Sequence, residues 1–300
     1  MTELEFEKKY KQFEQLLNIS VKERLDYKEP FLQKRVLDAA EYSLKAGGKR
    51  IRPVLAFAFC EACGASAEKA KATACAIEFM HTFSLIHDDL PCMDNDDLRR
   101  GQPSCHKKFD EATALLAGDA LAILPFEVIA KAAENSEISA SAGVKAAVYL
   151  AQAAGMTGMI GGQQIDTQQG LEITPEQTLE MYSMKTSALL RVACCCGVIC
   201  AETENEKKFL KAAETYAENL GLAFQLIDDI LDITSTSETL GKPIGSDERD
   251  GKKTYASVCG IEKARQKAAE FTEKAMNALN VFEKNEFLSA LTEKLLYRTK

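Results

Sequence analysis

Apolar positions along this chain recur with helical spacing, and the strict alternation of a half-buried strand is nearly absent. Ala, Glu, Lys, Leu and Gln, all good helix formers, fill most of the text. The pattern predicts helices near 3–17, 31–45, 50–63, 66–90, 110–133, 138–161, 175–200, 205–233, 253–279 and 283–297. Breakers agree with these limits. Pro53 falls in a first turn, and Thr174-Pro175-Glu176-Gln177 reads as a cap with proline at the first helical position. Pro125 lies inside a predicted helix and is expected to kink it. No stretch reads as a flexible linker and no repeat is visible, so the expectation is one all-α domain over residues 1–300, a large helical bundle. The most irregular segment, 234–252, carries Gly241, Pro243, Gly245 and Gly251 among Lys242, Asp247, Asp250 and Lys252, and is expected to be a polar loop near a helix end.

Composition narrows the function. A chain of 300 residues with 46% hydrophobic content can bury a large core, which excludes disorder. The net charge of −8 argues against a nucleic-acid partner, which demands a basic face, and suits a protein that gathers divalent cations. No apolar run reads as long enough to span a bilayer, so no stable membrane anchor is expected. The N-terminus, with Glu3, Glu5, Glu7, Lys8 and Lys9, lacks the apolar region of a signal peptide. Ten cysteines sit in apolar helical text, as in Cys194-Cys195-Cys196, and read as free buried thiols of a reducing, cytoplasmic protein. Cys60 and Cys63 form a lone C-x-x-C with no second pair at zinc spacing.

Two acidic clusters carry the chemistry. The first runs from Asp88 and Asp89 through Asp94, Asp96 and Asp97, and is followed by Arg99 and Arg100. His81, Ser84 and Leu85 precede Asp88 on one helical stripe, so an apolar helix delivers Asp88 at its C-terminal end, where the helix dipole disfavours a carboxylate. In the second cluster Gln225, Asp228, Asp229 and Asp232 share a stripe beside an apolar one of Leu220, Phe224, Ile227 and Leu231. Acidic helix ends often do no more than face water. Two such clusters change the weighting, because like charges about 4 Å apart repel by roughly 4 kcal/mol at an effective dielectric near 20. A cavity that gathers them needs cations, and hard oxygen ligands point to Mg²⁺, which takes few carboxylates per ion and fills its remaining positions with substrate phosphates. Phosphates in turn call for fixed cations, and Arg99, Arg100, Lys242 and Lys252 follow the two clusters.

With these residues in view, the chain resembles the trans-isoprenyl diphosphate synthases, and among them the bacterial farnesyl diphosphate synthases. The likeness runs through Gly47-Gly48-Lys49-Arg50-Ile51-Arg52-Pro53, His81, the D-D-x-x-x-x-D cluster with Leu98-Arg99-Arg100-Gly101, Gly118-Asp119-Ala120, Gly161-Gly162-Gln163-Gln164-Ile165-Asp166, Lys185-Thr186, Phe224 to Asp229, Gly241-Lys242 and Asp247 to Lys252. The resemblance implies antiparallel helices around a deep central cavity, both acidic helices facing across its mouth, three Mg²⁺ ions per site and a homodimer. It implies that Asp88, Asp94 and Asp228 hold metal and that Arg99, Lys185, Gln225, Lys242 and Lys252 hold the allylic diphosphate or its tail. Lys49, Arg52, His81 and Arg100 match the isopentenyl diphosphate site, Thr186 and Gln225 supply dipoles to a carbocation, and Phe83, five residues before Asp88, matches the position that limits chain length. The implied activity is head-to-tail condensation of isopentenyl diphosphate with dimethylallyl and geranyl diphosphate to farnesyl diphosphate; a geranylgeranyl diphosphate synthase is the alternative.

Other readings are weaker. Lys49, Arg50 and Arg52 taken alone read as a solvated first turn, Lys185 as a snorkelling lysine, and Phe83, His81, His87 and His106 as ordinary packing. A class I terpene cyclase has one diphosphate site and an aromatic-rich cavity, whereas this chain has 7% aromatic residues, no Trp and a second cationic set. A helical scaffold or metal buffer leaves the basic residues unexplained.

Overall fold

In the computed structural model, residues 1–27, 32–168, 170–234 and 254–296 are described; Lys242, Lys252 and most of the irregular loop lie outside them. The chain is all-α. Its helices are α1 (Glu3–Arg24), α2 (Lys34–Lys45), α3 (Ile51–Ala62), α4 (Lys71–Asp88), α5 (Cys105–Lys108), α6 (Glu111–Glu134), α7 (Ala140–Ala154), α8 (Met159–Thr167), α9 (Pro175–Tyr182), α10 (Ala188–Ala201), α11 (Glu206–Thr234), α12 (Tyr255–Cys259), α13 (Ile261–Leu279) and α14 (Glu286–Leu296). Among the described residues the only strands are a hairpin of β1 (Leu98–Arg99) and β2 (Gln102–Pro103).

Local chemistry explains most boundaries. Thr2 and Thr174 each form a capping box, with Glu5 and Gln177 three residues on, and Pro175 opens α9. Asp110 caps α6 by accepting from the Thr113 N–H. α6 continues through Pro125. The helix expected over 138–161 is two: Gly155 and Gly158 lie between α7 and α8, and a Cβ on Gly158 would collide with the Ala153 carbonyl. The helix expected over 253–279 is likewise divided at Gly260, whose φ of +87° leaves the helical region.

The contacts divide the chain into two compact units. The first comprises Thr2–Tyr149 and Cys196–Glu202, the second Leu150–Cys195 and Thr203–Lys300. In the first unit α4 is the central element, packed against α1, α3 and α6. Every residue from Ala72 to Met80 is buried, so this stretch of the helix has no solvent face and each polar group on it needs a partner. In the second unit α11 packs along α13, and both pack on α14. The fully buried Tyr216 shares a 2.8 Å hydrogen bond with Thr292 on α14.

Two helical stretches correct the expectation about apolar runs. Glu111–Glu134 and Pro175–Ala201 are long and apolar enough to cross a membrane by length and composition alone. Isolated charges such as Asp119 and Lys185 interrupt the runs without making them polar. In Pro175–Ala201, 78% of the apolar stretch is buried inside the protein, so its apolarity serves packing; in Glu111–Glu134 the share is 44%. The cysteines are free thiols: seven are buried, including Cys194, Cys195 and Cys196, and burial pushes the Cys200 thiol up to about 11.

Candidate active site

The first unit builds a cationic cluster from a loop and a helix. Gly47, Gly48 and Arg50 all have positive φ, of +86°, +116° and +47°, and fold residues 47–50 into a tight left-handed turn ahead of α3. This turn exposes Lys49 and places Arg52 in the first turn of α3. Arg52 reaches α4, where its Nη1 lies 3.3 Å from His81 Nε2. A guanidinium only donates, so His81 accepts on Nε2 and carries its proton on Nδ1. Burial and the nearby guanidiniums of Arg52, Arg100, Arg50 and Arg99 hold the His81 imidazolium well below the usual histidine range. Burial pulls Arg52 down to about 10, which leaves it charged at neutral pH. The Arg52 Nε is buried and has no hydrogen-bond partner, a donor left unsatisfied within the protein.

Acidification tests this arrangement. Because the folded state lowers the His81 pKa, the unfolded chain binds that proton more readily below the ordinary value of 6.5. Stability is expected to fall as pH drops past that value, by at most about 1.4 kcal/mol per pH unit from this group. Urea midpoints between pH 7 and 5.5 should therefore decline more steeply for the wild type than for His81→Gln; parallel slopes would contradict it.

The acidic cluster beside these cations splits its first two aspartates between different roles. Asp88, at the end of α4, is partly exposed. Asp89 is 2% exposed and binds the Arg99 guanidinium, with Nε at 2.9 Å from Oδ1 and 3.2 Å from Oδ2. Burial raises the Asp89 carboxyl pKa and Arg99 opposes that rise. The turn after α4 brings Asp94 back, its N–H donating to the Asp88 carbonyl at 2.9 Å, and leaves the Asp94 carboxylate exposed. Asp97 pairs with Lys107 at 2.8 Å. The hairpin, absent from the sequence expectation, aims the two arginines differently: Arg100 and Gly101 form its two-residue turn with φ of +54° and +77°. Arg99 thus anchors Asp89, while Arg100 lies over Gly48 and donates to the Gly47 carbonyl.

The second unit holds the other group. A single π-helical turn, Ser183–Ser187, joins α9 to α10 and carries Lys185 and Thr186. Lys185 pairs with Asp166 of α8 at 2.6 Å. The elements approach closely because Gly162 has no side chain; a Cβ there would come within 2.5 Å of the Lys185 backbone nitrogen. Thr186 donates to Gln225 Oε1 at 3.0 Å, and Gln225 Nε2 lies 3.5 Å from Asp229. Asp228 is partly exposed, whereas Asp229 is 3% exposed and accepts a 2.7 Å hydrogen bond from Tyr182. Burial and this carboxylate push the Tyr182 hydroxyl far up, and Tyr182 also accepts from the Tyr255 N–H at 3.2 Å. Asp89 and Asp229 thus play the same part in their own units, each the buried anchor beside a more open aspartate.

Sequence reasoning gave no site role to Tyr10, Arg50, Glu78 or Tyr182 of these networks. Tyr10 donates to the Lys49 carbonyl, and Arg50 pairs with Glu78 and donates to the Leu44 carbonyl. One signal was present for Glu78: a lone carboxylate in the apolar run Ala74 to Met80, three residues before His81. Lys49, Arg50 and Arg52 are not a plain solvated turn, because Arg50 and Arg52 point into protein. Phe83 is buried with its ring edge-on to His87, centroids 4.9 Å apart, and His87 lies 3.0 Å from the Leu115 carbonyl.

The donor set fits Mg²⁺. Among the described residues no three His, Cys, Asp or Glu side chains converge to hold an ion by themselves. The solvent-reaching carboxylates of Asp88, Asp94 and Asp228 are hard oxygen donors that suit an ion completing its shell with water and phosphate oxygens.

Residues 33–294 match the family described as Polyprenyl synthetase. The chain is 41% identical to a farnesyl diphosphate synthase of Escherichia coli (strain K12) over 276 residues, 90% of this chain and 92% of the relative. It is 45% identical to a geranylgeranyl diphosphate synthase of Cyanophora paradoxa over 252 residues, 83% and 82% of the two chains. A crystal structure of a geranyltransferase from Legionella pneumophila superposes with a TM-score of 0.85 at 32% identity, covering 99% and 98% of the chains.

Proposed function

Because the chain belongs to the polyprenyl synthetase family and is a trans-prenyl diphosphate synthase, we propose that it makes farnesyl diphosphate. The reaction condenses isopentenyl diphosphate head-to-tail with dimethylallyl and then geranyl diphosphate. The observation that carries this reading is the cationic cluster of the first unit. Around His81 four guanidiniums gather: Arg50 pairs with Glu78 and Arg99 with Asp89 and Asp96, whereas Arg52 and Arg100 pair with no carboxylate among the described residues, and one buried guanidinium donor stays open. On a chain of net charge −8, that local excess of positive charge is built for a multiply charged anion.

The chemistry follows from these groups. The allylic C–O bond breaks with its electron pair leaving on diphosphate, the isopentenyl double bond attacks the cationic carbon, and a proton leaves to the released diphosphate. Asp88 and Asp94 in the first unit, and Asp228 in the second, would hold Mg²⁺, which would supply Lewis-acid stabilisation of the charge developing on diphosphate. Lys185, held by Asp166, presents a fixed ammonium to the leaving group. Thr186 and Gln225, locked to each other, present oxygen dipoles to the cationic carbon without a nucleophile strong enough to trap it. Arg52 and Lys49 hold the isopentenyl diphosphate, and His81 fixes the Arg52 guanidinium by accepting from it. Arg99 and Arg100 act one step back, setting Asp89 and the Gly47–Arg50 turn. A second copy of the chain covers the apolar stripe of α6, where Leu115, Leu116 and Ile123 are 45%, 53% and 70% exposed. The ten free thiols support a reducing, cytoplasmic setting.

Relatives named as geranylgeranyl diphosphate synthases match the chain as well as those named as farnesyl diphosphate synthases, so a twenty-carbon product is the second reading. Phe83 favours the shorter product. It sits five residues before Asp88 on α4, roughly 7.5 Å along the axis. With Mg²⁺, isopentenyl diphosphate and dimethylallyl diphosphate, the wild type should release diphosphate and yield a fifteen-carbon chain by mass analysis; no elongation would overturn the assignment. Phe83→Ala should extend the product to twenty carbons or more with diphosphate release retained. An unchanged product from a folded, active variant would place the limit elsewhere.

A further inference from the structure

We propose that Glu78, acting through Arg50, is a positioning residue for the isopentenyl diphosphate site. The inference rests on the reading above that Lys49 and Arg52 hold that substrate, with His81 fixing Arg52. Arg50 is the pivot of the turn: it follows Lys49, caps α3 and precedes Arg52 by two residues, so its backbone sets the direction of both. Its φ of +47° is one a side-chain-bearing residue rarely adopts, and it persists only where surrounding contacts hold it.

One Arg50 nitrogen donates to the Glu78 carboxylate and the other to the Leu44 carbonyl, so the guanidinium ties α4 to the end of α2 across the turn. The two side chains are 12% and 3% exposed, a buried pair rather than a surface one. Tyr10 and Arg100 grip the carbonyls of Lys49 and Gly47, but both of those contacts are exposed. Glu78 is also three residues before His81 on a helix buried along that stretch. The ion pair therefore fixes the turn to the same helix that supplies the acceptor for Arg52. Neither Glu78 nor Arg50 is needed to touch substrate for this role. Glu78 also gives the arginine cluster a resident counter-charge, which alone would weaken an incoming diphosphate. The two roles predict opposite changes in affinity.

Glu78→Gln keeps the shape and an acceptor oxygen but removes the charge that holds Arg50. Positioning predicts that the KM for isopentenyl diphosphate rises about tenfold or more, with kcat and the allylic KM within about twofold of wild type. Arg50→Lys keeps the charge but cannot bridge Glu78 and Leu44 together, and should give the same split; it serves in place of Glu78→Gln if that variant fails to fold by circular dichroism. An unchanged or lowered KM for isopentenyl diphosphate, or equal rises for both substrates, overturns the inference. Arg52→Ala, measured alongside, separates the two levels. If Arg52→Ala raises that KM and Glu78→Gln does not, the substrate assignment stands and the positioning role falls. If Arg52→Ala leaves it unchanged, the assignment falls and the inference with it.

Discussion

Asp88→Ala and Asp228→Ala are each expected to lower turnover about 10²- to 10³-fold or more, the loss of roughly 3–4 kcal/mol of charge stabilisation at the breaking bond. The choice of these two among the aspartates is structural. Asp89 and Asp229 are buried and held by Arg99 and Tyr182, so they set the shape of their clusters. Asp88 and Asp228 are their partly exposed neighbours, open enough to solvent to meet a metal ion. Truncating Asp88 or Asp228 should cost less stability than truncating a buried anchor, because their carboxylates are already partly solvated. Truncating Asp89 should cost stability as well, because it strands the Arg99 guanidinium without its buried carboxylate. Steady-state kcat across a Mg²⁺ titration, with circular dichroism as the control for folding, checks the claim. Near wild-type turnover in either variant, or full activity in excess EDTA, would rule out metal-assisted departure of diphosphate.

How much of this was legible beforehand varies from element to element, and the reasons are physical. The α4 and α11 stripes were readable because helical spacing fixes which residues share a face. His81 and Asp88, and Gln225 and Asp228, therefore emerged as pairs from the sequence alone. A stripe says which way a side chain faces, not what meets it there. The burial of Asp89 against Arg99 and of Asp229 against Tyr182 depends on contacts ten and forty-seven residues away in sequence, so no local pattern announces it. The hairpin at 98–103 has strands of two residues, too short for an alternation to be visible. The π turn at 183–187 inserts a residue into an otherwise ordinary apolar helix, and composition does not distinguish it from α-helix. The breaks at Gly155–Gly158 and Gly260 were marked by glycine, but glycine inside strong helical text was outvoted by its neighbours. The expected sites Lys242 and Lys252 lie outside the described residues.

Two cationic groups in separate units should be separable by kinetics. Arg52→Ala is expected to raise the KM for isopentenyl diphosphate by about 10- to 150-fold, the equivalent of one charge-assisted hydrogen-bonded partner worth roughly 1.5–3 kcal/mol, with a much smaller change for the allylic substrate. Arg52 is singled out because its Nε is buried without a partner and its burial-lowered pKa of about 10 still leaves it charged at neutral pH. Lys185→Ala should show the converse, weakening the allylic diphosphate and leaving isopentenyl diphosphate largely alone. That loss has two parts: the ammonium goes, and the carboxylate of Asp166, 13% exposed and paired with Lys185 at 2.6 Å, loses that counter-charge. The double variant Lys185→Ala with Asp166→Asn removes both charges and should recover part of the allylic affinity. Initial rates with each substrate varied at saturating levels of the other give the four constants required. Arg52→Ala and Lys185→Ala that raise both KM values equally would mean a single shared anion site, because two independent groups cannot lose affinity for the same ligands in the same proportion.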